Sequence, residues 1–404
     1  MDSNLELKKI FKKFIEAFIG KGSFAILTLA FSFIISKLFG ATVLGEFSYG
    51  FSIISILMIF GKLGLDQGIL YYFPRNKYQF VSVSFFVNFI VSLFIIFIAS
   101  FVISDSIVKT MLPLIWLLSA EQIFFAIYSV SGRFKEYYLV NGFIAIISRI
   151  VIILLFYLAN KSDTINVVIA FYISIIMSLL IYLITNKKMF SKINFNSKFF
   201  KYSVPLTFAT MLGVIMDRID IIMIGNMIGK TDVGVYQIAT QVATFTSIIL
   251  YIYNSVFGPK ISKLYYTDNI KTLKKVYIKS TRLLALLSFL IFVVILVFNQ
   301  FILSLFGEVF IKGDLALLIR SLGQFINAAV GSVWLMLAMT GSTKSQMYTN
   351  LIACLMNIIL NFTLIPVFGI TGAAIASTIS VIFTNIIGYF LLRKKIYVKV
   401  YKYF

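Results

Sequence analysis

Apolar runs of about 20 residues, the length a helix needs to cross hydrocarbon, recur from one end of this 404-residue chain to the other. Backbone groups in lipid must find their partners inside their own segment, so such runs are accommodated as helices. A membrane barrel is excluded by the same runs, because its strands alternate polar and apolar residues over about 10 positions. Composition agrees: 60% of residues are hydrophobic, 13% are charged and the mean hydropathy is +0.98, whereas a soluble domain carries about a quarter charged residues.

Twelve spans fit the runs, near 19–39, 46–73, 80–103, 106–130, 139–159, 164–185, 203–228, 235–257, 282–306, 314–340, 346–367 and 371–392. The expected fold is an all-α integral membrane protein of about 12 transmembrane helices. The widest polar connections, 186–202 and 258–281, leave no room for a soluble domain. The first run has no small-residue cleavage site behind it and reads as a retained span.

Orientation follows from Lys and Arg, which accumulate on the cytoplasmic side. With both termini inside, 27 of the 36 basic residues fall in inner segments, and an odd span count would scramble that alternation. The net charge of +21 therefore has a membrane explanation. Basic residues hug the span ends instead of forming one patch, which argues against a nucleic-acid partner. Two basic segments, "LKKIFKKFIEAF" and "NIKTLKKVYIKS", space apolar residues at helical intervals and are expected to lie on the cytoplasmic leaflet, facing anionic lipid.

Absences narrow the chemistry. Cys354 is alone and the chain has no His, so disulfides, Cys/His metal sites and histidine-dependent triads are unavailable. There is no GxxxxGK[ST] phosphate loop. The expectation is a protein that is not an enzyme and uses no cofactor, driven by an ion gradient, the membrane potential or the substrate's own gradient.

The chain also repeats itself. "LFGATVLGEFSYGFSI" at 38–53 and "MIGKTDVGVYQIATQV" at 227–242 align at an offset of 189, pairing Gly40 with Gly229, Thr42 with Thr231, Gly45 with Gly234 and Phe47 with Tyr236. Six spans, an even number, separate the copies, so the halves share one orientation, as in transporters with parallel repeats. The expected domains are a six-helix bundle over 1–195 with a basic amphipathic N-terminus, and another over 196–404 with a basic tail. The repeated glycines are expected to shape tight outer loops and let helices approach.

"GATVLGEFSYGFSIISILMIFGKLGLDQGILYYFPR" and "MDRIDIIMIGNMIGKTDVGVYQIATQV" resemble the first-second and seventh-eighth span regions of Wzx-type polysaccharide flippases. These belong to the superfamily that includes multidrug and toxin extruders and the lipid II flippase. The resemblance covers the full length in span count and loop sizes, though some relatives carry 13 or 14 spans. It implies a V-shaped pair of bundles, a bacterial cytoplasmic (inner) membrane, and undecaprenyl-pyrophosphate-linked oligosaccharide as cargo. It also implies alternating access, with a central cavity opening first inward and then outward.

Such a cargo needs cations for pyrophosphate, polar and aromatic groups for sugars, and an apolar gap for the prenyl tail. Four cations lie within spans: Lys62, Arg149, Arg218 and Arg320. Each costs about 2.5–3.5 kcal/mol facing lipid at mid-span and is expected to face the protein interior. Four acids accompany them, Asp66, Glu121, Asp217 and Asp220, as carriers of a coupling H+ or Na+ or as fixed counter-ions. Asp66 is one turn from Lys62, and Asp217 and Asp220 are three apart. Tyr71, Tyr72, Tyr137, Tyr138, Tyr251 and Tyr253 are sugar-stacking candidates, and Asn88, Asn327, Asn357, Asn361 and Asn385 read as helix–helix glue. The other phenylalanines and tyrosines read as lipid-facing bulk. The leading reading is a flippase that hands its product to a polysaccharide polymerase. An ion-coupled multidrug or cation antiporter on the same fold comes second, and a polymerase or membrane glycosyltransferase third.

Overall fold

The computed structural model describes the backbone of residues 2–397 and 400 and the side chains of 20–397 and 400, except at 75–77, 209, 259 and 343. Among these residues there is no strand. Sixteen α-helices follow in chain order: α1 (Asp2–Leu38), α2 (Gly40–Lys62), α3 (Leu65–Asn76), α4 (Val81–Val102), α5 (Ser106–Met111), α6 (Leu114–Val130), α7 (Phe134–Tyr138), α8 (Ala145–Leu158), α9 (Thr164–Asn186), α10 (Ser197–Met227), α11 (Lys230–Thr244), α12 (Ile248–Tyr266), α13 (Ile270–Ser304), α14 (Asp314–Val330), α15 (Val333–Met339) and α16 (Thr343–Ile396). Eight helical segments of the described chain are long and apolar enough to cross a membrane, nine if one bent pair counts as a span.

Several expected spans are broken, each at a residue whose backbone explains the break. The run expected at 46–73 begins instead at Gly40 and is split into α2 and α3 by Leu63 (φ 48°) and Gly64 (φ 64°). The Leu63 N–H closes α2 on the Ile59 carbonyl at 3.1 Å, an αL helix end. Pro113 separates α5 from α6 within the run 106–130. Gly331 (φ 79°) ends α14, and the segment Glu308–Val330 meets α15 at a 44° bend. The runs 346–367 and 371–392 are the two limbs of α16, which turns at Gly369 (φ 59°, ψ −139°). The limbs touch there: a Cβ on Gly372 would sit 2.3 Å from the Leu364 carbonyl oxygen.

Contacts gather the chain into two compact units, Ile26–Gly234 and Met1–Ala25 with Val235–Phe404. In the unit Ile26–Gly234, α2 packs against α4, α5, α6, α9 and α10. Small hydroxyl residues make this packing possible, since Ser52 and Ser55 are buried and return their protons to the carbonyls of Ser48 and Phe51. Asn88 on α4 donates to the Gly61 carbonyl of α2 at 2.9 Å and to Ser119 of α6 at 2.6 Å, the expected glue. The first copy of the repeat meets the start of the second, up to Gly234, within this unit. Gly45 and Gly234 lie inside helices, not in loops, because the crossing has no room for a Cβ: one on Gly45 would fall 1.7 Å from the Lys230 oxygen, and one on Gly234 would fall 2.1 Å from the Ala41 oxygen. The tight turns belong to Gly40 (φ 87°) and Gly229 (φ 159°), and Thr42 and Thr231 share a hydrogen bond of 2.8 Å.

In the other unit, α14 packs between α13 and α16. Its polar seams are amides and hydroxyls: Asn385 donates to Asn327 at 3.1 Å, Asn357 to Ser377 at 3.3 Å and Ser247 to Gln324 at 2.6 Å. The basic segment "NIKTLKKVYIKS" is helical, as its spacing implies. It forms the first turns of α13, where Leu273 and Tyr277 are buried in a cluster with Ile261, Met336, Leu392 and Ile396. The facing of "LKKIFKKFIEAF" lies outside the described side chains, although its backbone is part of α1.

Candidate substrate site

The stretch "MDRIDIIMIG" supplies both a close helix contact and a cation. Gly225 brings α10 onto the ring of Tyr49, where a Cβ would fall 2.3 Å from a ring carbon, and the Tyr49 hydroxyl donates to Asn226 Oδ1 at 2.6 Å. Arg218 lies seven residues, two turns, earlier and returns to the same face. Its guanidinium sits over the ring of Phe51 on α2, 5.4 Å from the centroid.

Arg149 reaches other rings of the same cluster. It follows a π-helical turn at Leu139–Ile144, a wider turn that resets which face α8 presents and recurs at functional sites. Its Nε donates to Ser174 Oγ on α9 at 2.6 Å, and its guanidinium lies 3.9 Å above Phe171 and 5.9 Å above Phe31. Phe171 is 5.5 Å from both Phe47 and Phe51, and Phe31 is 6.0 Å from Phe47. Four rings from α1, α2 and α9 therefore join the two arginines. Ring faces carry negative charge and replace part of the lost hydration of a desolvated cation, by about 2 kcal/mol. Among the described residues Arg149 makes one hydrogen bond and Arg218 none, so most of the five N–H groups each guanidinium carries are not committed to protein acceptors.

The acids divide by environment. Glu121 on α6 is buried and has Arg149 as its opposite charge. Asp217 is exposed with Arg218 as electrostatic neighbour, whereas Asp220, one turn on, is buried. Burial separates this pair into two different carboxylates. Lys62 and Asp66 are both buried and bonded at 2.9 Å across the α2–α3 break, with Gln67 donating to the same carboxylate oxygen at 3.1 Å. The neutralised pair commits Lys62. Arg320 lies on α14, in the other unit, and is partly buried. No group of three His, Cys, Asp or Glu side chains gathers as a metal site among the described residues.

Of the tyrosines expected to stack on sugars, Tyr137 and Tyr253 are buried against Tyr182 and Phe257. Tyr71 remains exposed on α3. Phe31, Phe47 and Phe171, expected as lipid-facing bulk, are buried instead, and Phe51 is partly buried. Only the i,i+4 spacing of Phe47 and Phe51 hinted at a shared face, while their meeting with Phe171 is tertiary. Outside the spans, Arg133 bridges Glu136, Asn186 and the Tyr128 ring at the end of α6. The Glu136 hydrogen bond pushes this guanidinium further above its ordinary value, so it stays charged.

A family model described as polysaccharide biosynthesis protein matches residues 10–265, well over half of the chain. The chain belongs to the polysaccharide biosynthesis protein family. The MatE family model matches residues 205–363. Among relatives of the chain is the capsular polysaccharide biosynthesis protein CapF of Staphylococcus aureus, 24% identical over 87% of this chain and 91% of that one. The probable low-salt glycan biosynthesis flippase Agl15 of Haloferax volcanii is 27% identical over 45% of this chain and 39% of its own length. Two solved structures share the fold: a multidrug resistance MATE family transporter in an inward-facing conformation (TM-score 0.76, 13% identity, 93% of this chain and 94% of that one) and the lipid II flippase MurJ (TM-score 0.74, 18% identity, 95% and 88%). The fold is thus all-α and MATE-like, in a multi-pass membrane protein of polysaccharide biosynthesis.

Proposed function

We propose that this protein flips a lipid-linked oligosaccharide across the membrane, with Arg149 and Arg218 holding the anionic linkage. The observation that carries the reading is the ring cluster that holds two arginines among packed helices with most of their N–H groups uncommitted. A diphosphate offers many acceptor oxygens in a compact volume, and guanidinium groups bind phosphate oxygens two at a time. The names of the relatives, a capsular polysaccharide protein and a glycan flippase, support the same cargo class.

In this reading the carrier is undecaprenyl pyrophosphate and the direction is from the cytoplasmic to the outer face of a bacterial cytoplasmic membrane. Twelve spans, both termini cytoplasmic and bundles over 1–195 and 196–404 belong to it, as does a polymerase receiving the product. Arg320 joins the cargo-binding set, and Lys62, tied to Asp66, serves architecture. Glu121 behind Arg149, together with Asp217 and Asp220, takes H+ or Na+ or balances the arginines. The protein moves its substrate without changing a covalent bond. An antiporter of cationic drugs on the same fold is supported by the MATE likeness, but two arginines with uncommitted N–H groups favour an anionic cargo.

Deleting the gene and locating the lipid-linked oligosaccharide tests the function. Accumulation on the cytoplasmic face is expected; normal surface glycan with altered drug tolerance overturns it. Arg218→Ala removes charge-assisted bonds worth about 1.5–3 kcal/mol, so cargo affinity should fall roughly 10- to 100-fold and surface glycan should disappear at unchanged protein level. Wild-type export from that variant removes Arg218 from the site.

A further inference from the structure

The aromatic cluster at the lysine-rich end of the unit Ile26–Gly234 is separate from the rings around Arg149 and Arg218. It forms where α3 meets the start of α10, and glycines set the contact. A Cβ on Gly64 would fall 2.2 Å from the Ser203 oxygen, and one on Gly68 would fall 2.0 Å from Ser203 Oγ. Close approach locks a back wall: Phe80 and Phe199 are buried and stacked at 4.6 Å with planes 10° apart, and Tyr72 packs edge-on to both. In front of it Tyr71 and Tyr202 stack at 4.3 Å, planes 24° apart, each retaining about two-fifths of its surface, 39% and 38%.

This is not the arrangement of interfacial tyrosines that anchor singly with hydroxyls in the headgroups. The Tyr71 and Tyr202 rings here are paired face to face, and the Tyr72 hydroxyl donates to the Lys198 carbonyl at 3.4 Å. Lys198 and Lys201, both exposed, lie four and one residues before Tyr202, so Lys198 shares a face with the Tyr202 ring and Lys201, one turn from Lys198, flanks it about 100° around the helix. Aromatic faces receive the apolar C–H face of a pyranose ring, and ammonium groups receive phosphate. The combination matches a sugar that carries a diphosphate.

We propose that Tyr71 and Tyr202, with Lys198 and Lys201, form a docking platform for the first sugar and the diphosphate of the lipid-linked oligosaccharide. The platform rests on the flippase reading above and adds to it a second, peripheral place where cargo is recognised by its sugar. Stacking explains why exposed rings stand where lysines collect, and it makes recognition tolerant of sugar identity, since every pyranose has such a face.

The test uses the purified full-length protein and two probes, undecaprenyl pyrophosphate bearing N-acetylglucosamine and bare undecaprenyl pyrophosphate. Tyr202→Leu and Tyr71→Leu should each weaken the sugar-bearing probe roughly tenfold, the loss of about one stacked ring, and leave the bare probe unchanged. Tyr202→Phe should bind both like the wild type, which separates ring stacking from the hydroxyl, and a thermal melt matching the wild type certifies the fold of each variant. Lys198→Gln with Lys201→Gln should weaken both probes alike. Leucine variants that lose both probes equally, as a plain lipid-headgroup contact would, overturn the platform. So do leucine variants that bind the sugar-bearing probe at wild-type strength. Wild-type protein that binds neither probe overturns the flippase reading itself, and the platform with it.

Discussion

The unit Ile26–Gly234 sets arginines against aromatic rings, while the seams of the unit containing Val235–Phe404 pair amides and hydroxyls with one another. Both are ways of keeping polar groups among apolar helices, and they leave different remainders. An amide that donates to a neighbouring amide or hydroxyl spends its hydrogen-bonding capacity on the protein and fixes a neutral seam. A guanidinium under a ring is stabilised by a face that takes no hydrogen bond from its edges, so its N–H groups remain for an incoming anion. Residues similar in hydropathy terms thus separate into architecture and site by what they leave unsatisfied.

The comparison is broken most severely where a charge is already paired. Lys62 and Asp66 are both buried and bonded to each other at 2.9 Å. Lys62→Met leaves the carboxylate without its cation and should cost about 3–5 kcal/mol, whereas replacing both residues with apolar ones of similar volume should recover most of it. Thermal unfolding of the purified single and double variants measures this. A single variant as stable as the double would mean that the pair contributes nothing and that Lys62 is free for cargo.

A smaller effect is expected at the crossing of the two repeat copies. Gly45→Ala forces a methyl against the Lys230 backbone oxygen, an obstacle that no rotamer change relieves. About 1–3 kcal/mol of stability should be lost, and Gly234→Ala should match it because its obstacle, the Ala41 carbonyl, stands in the equivalent place. Gly213→Ala on α10 is the contrast: nothing lies within 4 Å of its Cβ, and removing a helical glycine should stabilise by roughly 0.5–1 kcal/mol. Equal melting shifts for Gly45→Ala and Gly213→Ala would refute the steric account.

That crossing also marks how far the sequence was legible. The repeat aligns Gly45 with Gly234 without revealing that the copies touch, because an offset of 189 residues says nothing about distance in space. Hydropathy located the apolar runs, as it must when every backbone group has to bond within its own helix. It missed the breaks at Leu63–Gly64 and Gly331–Ser332, where φ angles and not hydropathy decide, and it placed the start of α2 late by treating Gly40–Gly45 as loop. Arg149 and Arg218 stood out as charges within apolar runs. The rings that hold them did not, since phenylalanine in a membrane protein looks the same whether it faces lipid or an arginine. Lys62 and Asp66 were recognisable as a pair from their spacing alone.

The smallest predicted effect sharpens the contrast most. Asn327 and Asn385 bond at 3.1 Å between α14 and α16, and such interhelical bonds contribute on average about 0.6 kcal/mol in membranes, because the separated helices also find partners. Asn385→Ala and Asn327→Ala should therefore each destabilise slightly, and a double-mutant cycle should return a coupling near that value. Surface glycan should be unchanged in all three variants, since no donor or charge facing cargo has been removed. Arg218→Ala inverts the pattern: the melting temperature should move little while glycan export fails, because its guanidinium makes no hydrogen bond among the described residues and its neighbour Asp217 is exposed. An asparagine variant that stops export at normal stability would move the amide seam from architecture to site, and would extend the cargo path into the unit that holds Val235–Phe404.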